Sequence, residues 1–309
     1  MMVSAQMVKE LRERTGAGMM DCKKALNEVD GDMEKAVDLL REKGLAAANK
    51  KSGRIAAEGV VESYITEDAK AGVVVEINCE TDFVAKNLDF QQFAKDAAKQ
   101  AVNTKAADVD GFMNEPWLSD ASKTVKDILT EKIAVIGENL SVRRFEKLEA
   151  ENGCVAAYIH GGGKIGVLVQ ADTDVVNDEI KACLRNVAMQ VAAMAPKYVS
   201  RDEVPADYLE HEKEILLAQA KIENPNKPEN IIEKMIVGRL NKEMKEICLL
   251  DQAYVQDSDM SVAQYVAKVG KENDCNLAVV KCVRFKTGEG IEKRQDDFAN
   301  EVTNMFKKD

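Results

Sequence analysis

E-I-N-C-E-T-D-F-V-A-K-N, residues 76–87, is a strand that runs into a turn. Val73, Val74, Val75 and Ile77 are mostly β-branched and follow Gly72, which predicts a buried strand. Asn78 bounds its apolar run, and Thr81-Asp82 has the chemistry of a turn or helix N-cap. Phe83 comes next, between an acid and a small apolar run. By residue type alone Phe83 is a core residue below a strand end. The other reading sets it aside for function, and the remaining chain bears on that choice.

Outward from this stretch, Gly59–Thr66 and Val73–Asn78 flank a polar turn and predict an antiparallel hairpin. A helix capped by Asp89 is expected through Phe90, Phe93, Ala94, Ala97 and Ala101. The same order returns in Cys154–His160, a Gly-rich turn, Ile165–Ala171, and a helix through Ile180, Leu184, Val187 and Val191. Residues 63–65 (S-Y-I) align with 157–159 (A-Y-I), and 78–83 (N-C-E-T-D-F) with 170–175 (Q-A-D-T-D-V). The expectation is a core of two duplicated α/β subdomains with antiparallel strands. In that alignment Thr-Asp occurs twice and serves the fold, whereas Phe83 meets Val175 and is the residue that departs from the shared scaffold.

The chain has 309 residues, room for two or three domains, and 45% are hydrophobic. Its net charge of -11 argues against direct nucleic-acid binding, which needs a basic surface. No apolar run approaches the ~20 residues that span a bilayer, and the opening residues carry no signal-peptide core. A cytoplasmic protein with no membrane partner is expected. Seven scattered cysteines without C-x-x-C fit reduced thiols, and two histidines (His160, His211) cannot form H-E-x-x-H; neither a metal nor a cofactor is expected.

Near the N-terminus, Ser4 caps a helix through Met7, Val8 and Leu11. Thr15–Gly18 breaks it, a second helix carries Met19 to Val29, and Asp32 caps a third that ends near Gly44. Met19 and Met20 either close the small core or form an adaptable contact surface. Between the core halves Ser119 caps a helix through Val125, Leu129 and Ile133, and 140–148 reads as a strand. Pro205 opens one helix and the Pro-Asn turn at 224–228 separates it from another, giving an antiparallel helical hairpin. Ser261 caps a further helix, and 277–285 alternates like a strand although Lys281 interrupts it. Phe298, Val302, Met305 and Phe306 define a terminal amphipathic helix that either closes its own core or docks elsewhere.

Several blocks resemble the elongation factor Ts family, the bacterial factors that empty EF-Tu of GDP. T-D-F-V-A-K (81–86) is similar to the family signature. Leu11–Leu26 (L-R-E-R-T-G-A-G-M-M-D-C-K-K-A-L) resembles the way its chains open. I-G-E-N-L-S-V-R-R-F (136–145), H-G-G-G-K-I-G-V-L-V (160–169), I-I-E-K-M-I-V-G-R-L-N-K (231–242) and R-F-x-x-G-E-G-I-E-K (284–293) match further blocks, in order. The resemblance implies a non-enzymatic guanine-nucleotide exchange factor that binds EF-Tu, both GDP-bound and nucleotide-free. It implies that Thr81, Asp82, Phe83 and Val84 disturb the magnesium and phosphate site, and that Leu11, Met19, Met20 and His160 add EF-Tu contacts. In that family the helical hairpin contacts EF-Tu or a second copy of the factor, a homodimer contact.

The resulting fold class is α+β. A UBA-like three-helix bundle (1–45) and a connector (46–58) precede the core N-subdomain (59–150). The core C-subdomain (151–290) carries the helical hairpin insertion 205–249, and a C-terminal helical module (291–309) follows. Two rival classes compete with this one. A ubiquitin-like-binding adapter would use the bundle, but Gly18-Met19-Met20 departs from the usual ligand loop and the core is left unexplained. A phosphate-binding enzyme would use Gly161–Lys164, but that turn lacks the G-x-x-x-x-G-K-[ST] spacing. His160 has no acid or nucleophile readable beside it.

Overall fold

The structure is a computed structural model in which residues 3–225 and 227–292 are described. Three helices open it: α1 (Ala5–Thr15), α2 (Met19–Glu28) and α3 (Met33–Lys51). Ser4 and Asp32 cap the first and third through side-chain oxygens that accept from Met7 N and Lys35 N. Val8, Leu11, Cys22, Ala25, Leu26 and Ala36 form their shared core.

A hairpin follows, β1 (Glu58–Ile65) with β2 (Ala71–Cys79), then the short α4 (Asp82–Ala85) and the long α5 (Leu88–Ala101). Beyond α6 (Val109–Met113), a small hairpin β3 (Pro116–Trp117) and β4 (Asp120–Thr124) leads into α7 (Val125–Ile136) and β5 (Ser141–Glu149). The second half has β6 (Gly153–His160), β7 (Ile165–Thr173) and α8 (Asp178–Met194). Two long helices project next, α9 (Ala206–Glu223) and α10 (Glu229–Ile247). Then come β8 (Ala253–Tyr254), β9 (Asp257–Ser261), α11 (Val262–Glu272) and β10 (Leu277–Lys286). The chain is thus α+β with antiparallel sheets, and the expected terminal helix (Phe298 to Phe306) lies outside the described residues.

The two halves share one plan. The first sheet is ordered β1-β2-β5 and the second β10-β7-β6, so each hairpin receives its late strand on the same edge. Gln100 and Gln190 do the same work: each side-chain amide donates to the small hairpin, at Pro116 O and Ala253 O, and accepts from Leu118 N and Val255 N. Thr124 with Asp127, and Ser261 with Gln264, form matched capping boxes. Gly59 and Gly153 both have positive φ, and a Cβ on either would strike a carbonyl oxygen of the partner strand. The inner faces of the sheets meet through Val61, Val74, Leu148, Val155, Leu168 and Phe285.

This correspondence corrects the sequence alignment. Gly59 pairs with Asn78 and Gly153 with Asp172, so Cys79 corresponds to Thr173. Asn87 and Asn177 then cap the following helices in the same way, accepting from Phe90 N and Ile180 N. Seven residues (80–86) separate Cys79 from Asn87, but only three (174–176) separate Thr173 from Asn177. The excess of four equals the length of α4. The two Thr-Asp pairs are therefore not equivalent, and Phe83 has no counterpart at Val175.

Other expectations also change. The third helix passes Gly44 and ends at Lys51, because Gly44 marks a close approach: a Cβ there would lie 3.4 Å from the Ala134 Cβ of α7. Asn87, not Asp89, caps α5, and Thr124, not Ser119, caps α7, since 116–124 is taken up by the small hairpin. The break at Lys281 is a β-bulge between Val279 and Lys281. Trp117, which carried no reading, is buried and stacks on Phe93 with centroids 6.0 Å apart.

The Thr124 cap gives a prediction. Thr124 N–H donates to Asp127, and the Arg41 guanidinium of α3 lies 2.8 Å away, so the Asp127 carboxyl is held down at about 2. A depressed folded pKa means stability that is complete above about pH 4 and lost as pH falls toward 2. Asp127→Asn should therefore be less stable than the parent at neutral pH. Acid titration of urea unfolding should show the gap closing below about pH 4; a gap independent of pH would assign Asp127 no such linkage.

Candidate functional site

The site forms where β2 leaves its sheet. The Cys79 thiol, buried and pushed up to about 12 by desolvation, donates to Thr81 O at 3.1 Å. Thr81 adopts an extended backbone and its Oγ1 accepts from Val84 N at 3.3 Å, starting α4. The same hydroxyl donates to Glu138 Oε1 at 2.6 Å. Glu138 Oε2 accepts from Glu80 N and Thr81 N, both at 3.0 Å. At the far end of the turn Gln91 Nε2 donates to Ala85 O at 3.2 Å.

Ala85 is buried and Val84 packs against the first core, so one side of α4 faces inward. Phe83 takes the other side and is 82% exposed. Its assignment by residue type to the core is thus overturned. A four-residue helix leaves no inner position for it once Val84 and Ala85 are seated. Beside it Asp82 accepts from Lys86 Nζ at 2.7 Å, and this bond holds its carboxyl below the usual range.

His160, the last residue of β6, is exposed, with Nδ1 3.0 Å from Tyr158 Oη. Gly161, Gly162 and Gly163 all have positive φ and make a tight connection to β7. Gly163 O accepts from Val61 N at 2.7 Å, and Lys164 Nζ reaches Glu58 at 2.8 Å. Glu58 opens β1 opposite Cys79. The His160 turn and the Phe83 turn therefore lie at the same end of the core, and Lys164 is near enough to lower the Asp82 carboxyl further.

In the bundle Met19 and Met20 are 54% and 63% exposed at the start of α2. Leu11 differs from expectation: it is fully buried among Val8, Cys22, Ala25 and Leu26. An apolar residue on the inward stripe of α1 cannot touch a partner while the bundle is folded, so it supports α2 from beneath. The bundle joins the core through α3 and α7. Arg41 pairs with Asp127, and Lys51 Nζ donates to Ile133 O at 3.4 Å. A cavity of about 320 Å³ lies along this seam, with Arg41, Lys123, Asp127 and Glu131 in its wall. Among the described residues no group of three or more His, Cys, Asp or Glu side chains is placed to hold a metal ion, and no helix is long and apolar enough to cross a membrane.

Two residues escaped sequence reading. Glu138 sits in the I-G-E-N block, but nothing there showed that it folds back on residues 80–81. Glu76 is completely buried in the middle of β2. Arg143 and Arg144 reach it at 3.0 and 2.6 Å, and Gly288 N donates to it at 2.7 Å.

Fold and site together define a two-lobed α+β scaffold carrying a projecting aromatic on a clamped turn. The family model for elongation factor TS matches residues 80–289. The chain is 53% identical over 307 residues to elongation factor Ts of Clostridium botulinum (strain Alaska E43 / Type E3), covering 99% of this chain and 100% of that protein. It is 54% identical over 305 residues to elongation factor Ts of Clostridioides difficile (strain 630), covering 99% of each. The chain belongs to the elongation factor Ts family.

Proposed function

We propose that this chain is a guanine-nucleotide exchange factor for EF-Tu in translation elongation, and that it changes no covalent bond of the nucleotide. Family membership supports the activity. The observation that carries the mechanism is Phe83, a large apolar side chain held outward on a turn whose backbone is fixed. An aromatic so exposed has its apolar surface free to be covered by another protein.

The factor binds EF-Tu·GDP and binds nucleotide-free EF-Tu more tightly. By linkage, bound GDP weakens the factor by the same ratio. Thr81 to Val84 present Phe83 to the nucleotide domain of EF-Tu, where it displaces the elements that hold magnesium and the phosphates. Burying one Phe supplies roughly 1.5–3 kcal/mol, and ~1.4 kcal/mol is tenfold. Phe83 thus accounts for about ten- to a hundredfold of the differential affinity. Met19, Met20 and His160 add contacts that hold the complex together, and Leu11 keeps α2 in place.

On this reading the bundle is UBA-like and the core is a duplicated unit, which the shared strand order and paired Gln100 and Gln190 support. The helical hairpin 205–249 is a second contact, to EF-Tu or to another copy. Exposed Ile222 and Val237 supply apolar surface there. The protein acts in the cytoplasm, without nucleic acid, membrane or cofactor.

The test is stopped-flow release of fluorescent GDP from a bacterial EF-Tu. The chain should raise the release rate in a saturable way, and release as slow as without factor would reject the proposal.

A further inference from the structure

We infer that Glu138 is the positioning residue of the Phe83 turn, an inference that rests on the exchange-factor reading above. A helix of four residues has no stability of its own, because nucleation costs more than so few hydrogen bonds return. Something outside α4 must hold it. Half-buried Glu138 accepts three hydrogen bonds from the two residues before α4: Glu80 N, Thr81 N and Thr81 Oγ1. Charge-assisted bonds of this kind are the stronger class. The exchange is mutual, since Glu80 Oε1 accepts from Asn139 N at 2.6 Å. Each loop therefore satisfies backbone donors of the other.

Glu138 is itself fixed from both sides. Gly137, in the left-handed conformation, ends α7 immediately before it. Asn139 Nδ2 then donates to Arg54 O at 2.8 Å, just past the end of α3. The chain of support runs from the bundle through α3 and α7 to Glu138, then to Thr81 and Phe83. Glu138, with the return bond from Glu80, joins the turn that carries Phe83 to the frame that carries Met19 and Met20. The second half keeps only the return bond, Asp174 Oδ1 accepting from Asn276 N at 3.1 Å, and residues 174–176 connect strand to helix without an inserted turn. Releasing the carboxylate leaves Phe83 present but free to sample other directions, so ordering it on EF-Tu becomes costly.

The experiment is GDP release measured across factor concentration with the full chain, Glu138→Ala, Glu138→Gln, Thr81→Val, Phe83→Ala and the Glu138→Ala/Phe83→Ala double variant. Glu138→Ala should lower the maximal rate about five- to tenfold with half-saturation moved less than about twofold. Glu138→Gln retains an acceptor for both backbone N–H groups and should stay within about twofold of the parent. Thr81→Val, which keeps the shape but removes the hydroxyl, should fall between them. The double variant should be no slower than Phe83→Ala alone, because residues acting through one contact are not additive. Additive losses, or a Glu138→Ala variant as fast as the parent, would overturn the proposal. If the parent chain itself gives no acceleration, the exchange-factor reading fails instead. Thermal unfolding of every variant separates lost positioning from lost folding.

Discussion

Phe83→Ala should lower the maximal GDP-release rate about ten- to a hundredfold while thermal stability stays within about 0.5 kcal/mol of the parent. The two halves of this prediction come from one number. At 82% exposure the Phe83 ring gives the folded chain almost nothing, so its removal leaves folding alone. On the proposed mechanism the same ring, once buried in EF-Tu, would give its full transfer energy to the complex. A core residue would behave in the opposite way, with a loss of several kcal/mol in stability. Leu118→Ala is the control: Leu118 is 58% exposed at the small hairpin of the first half and has no proposed contact. Equal rates for Phe83→Ala and the parent would remove Phe83 from the mechanism.

The elements that sequence reading found were those with long periodic signals. The two main hairpins, the paired helices α5 and α8, and the projecting hairpin all appear close to their expected bounds. What it missed was short or set by distant contacts. Pro116-Trp117 and Ala253-Tyr254 are two-residue strands, too brief to show alternation. Gly44 has the signature of a helix stop, yet the approach of Ala134 decides its role, ninety residues along the chain. The Phe83 turn is legible in the cap chemistry of Thr81-Asp82, and Thr81 does cap α4; what fails is the alignment that set Phe83 apart, because the Thr-Asp match with residues 173–174 is out of register. Only paired strands reveal that α4 is an insertion. Leu11 was assigned a contact although its place on the apolar face of α1 already tied it to the bundle core.

Glu76→Ala should be the most destabilising single change considered, with about 3 kcal/mol lost. Glu76 is fully buried and is approached by two arginines, the Asn78 amide at 3.2 Å and the Gly288 N–H. Its removal leaves the Gly288 N–H without its acceptor where water reaches poorly, and takes from the two arginines their buried counter-charge, while Asn78 Nδ2 keeps Glu58 O. Arg144 also sits over the Phe285 ring at 4.2 Å, so the loss spreads to the end of β10. Glu76→Gln keeps the volume and one acceptor and should lose clearly less. Urea unfolding measures both, and a Glu76→Ala midpoint equal to that of the parent would mean that water replaces the carboxylate without cost.

Glu76 and Gly288 stand 212 residues apart in the chain. A polypeptide emerging from its N-terminus releases all three strands of the first sheet long before residue 288 exists. Until then the carboxylate at the sheet centre lacks a backbone donor. Arg143 and Arg144 also lack the Glu289 and Lys286 carbonyls on which they rest. The first sheet is therefore closed by a turn that lies 212 residues further along the chain. Closure of the sheet centre waits for Gly288, and a chain cut short before that residue leaves Glu76 with its two arginines but without its backbone donor.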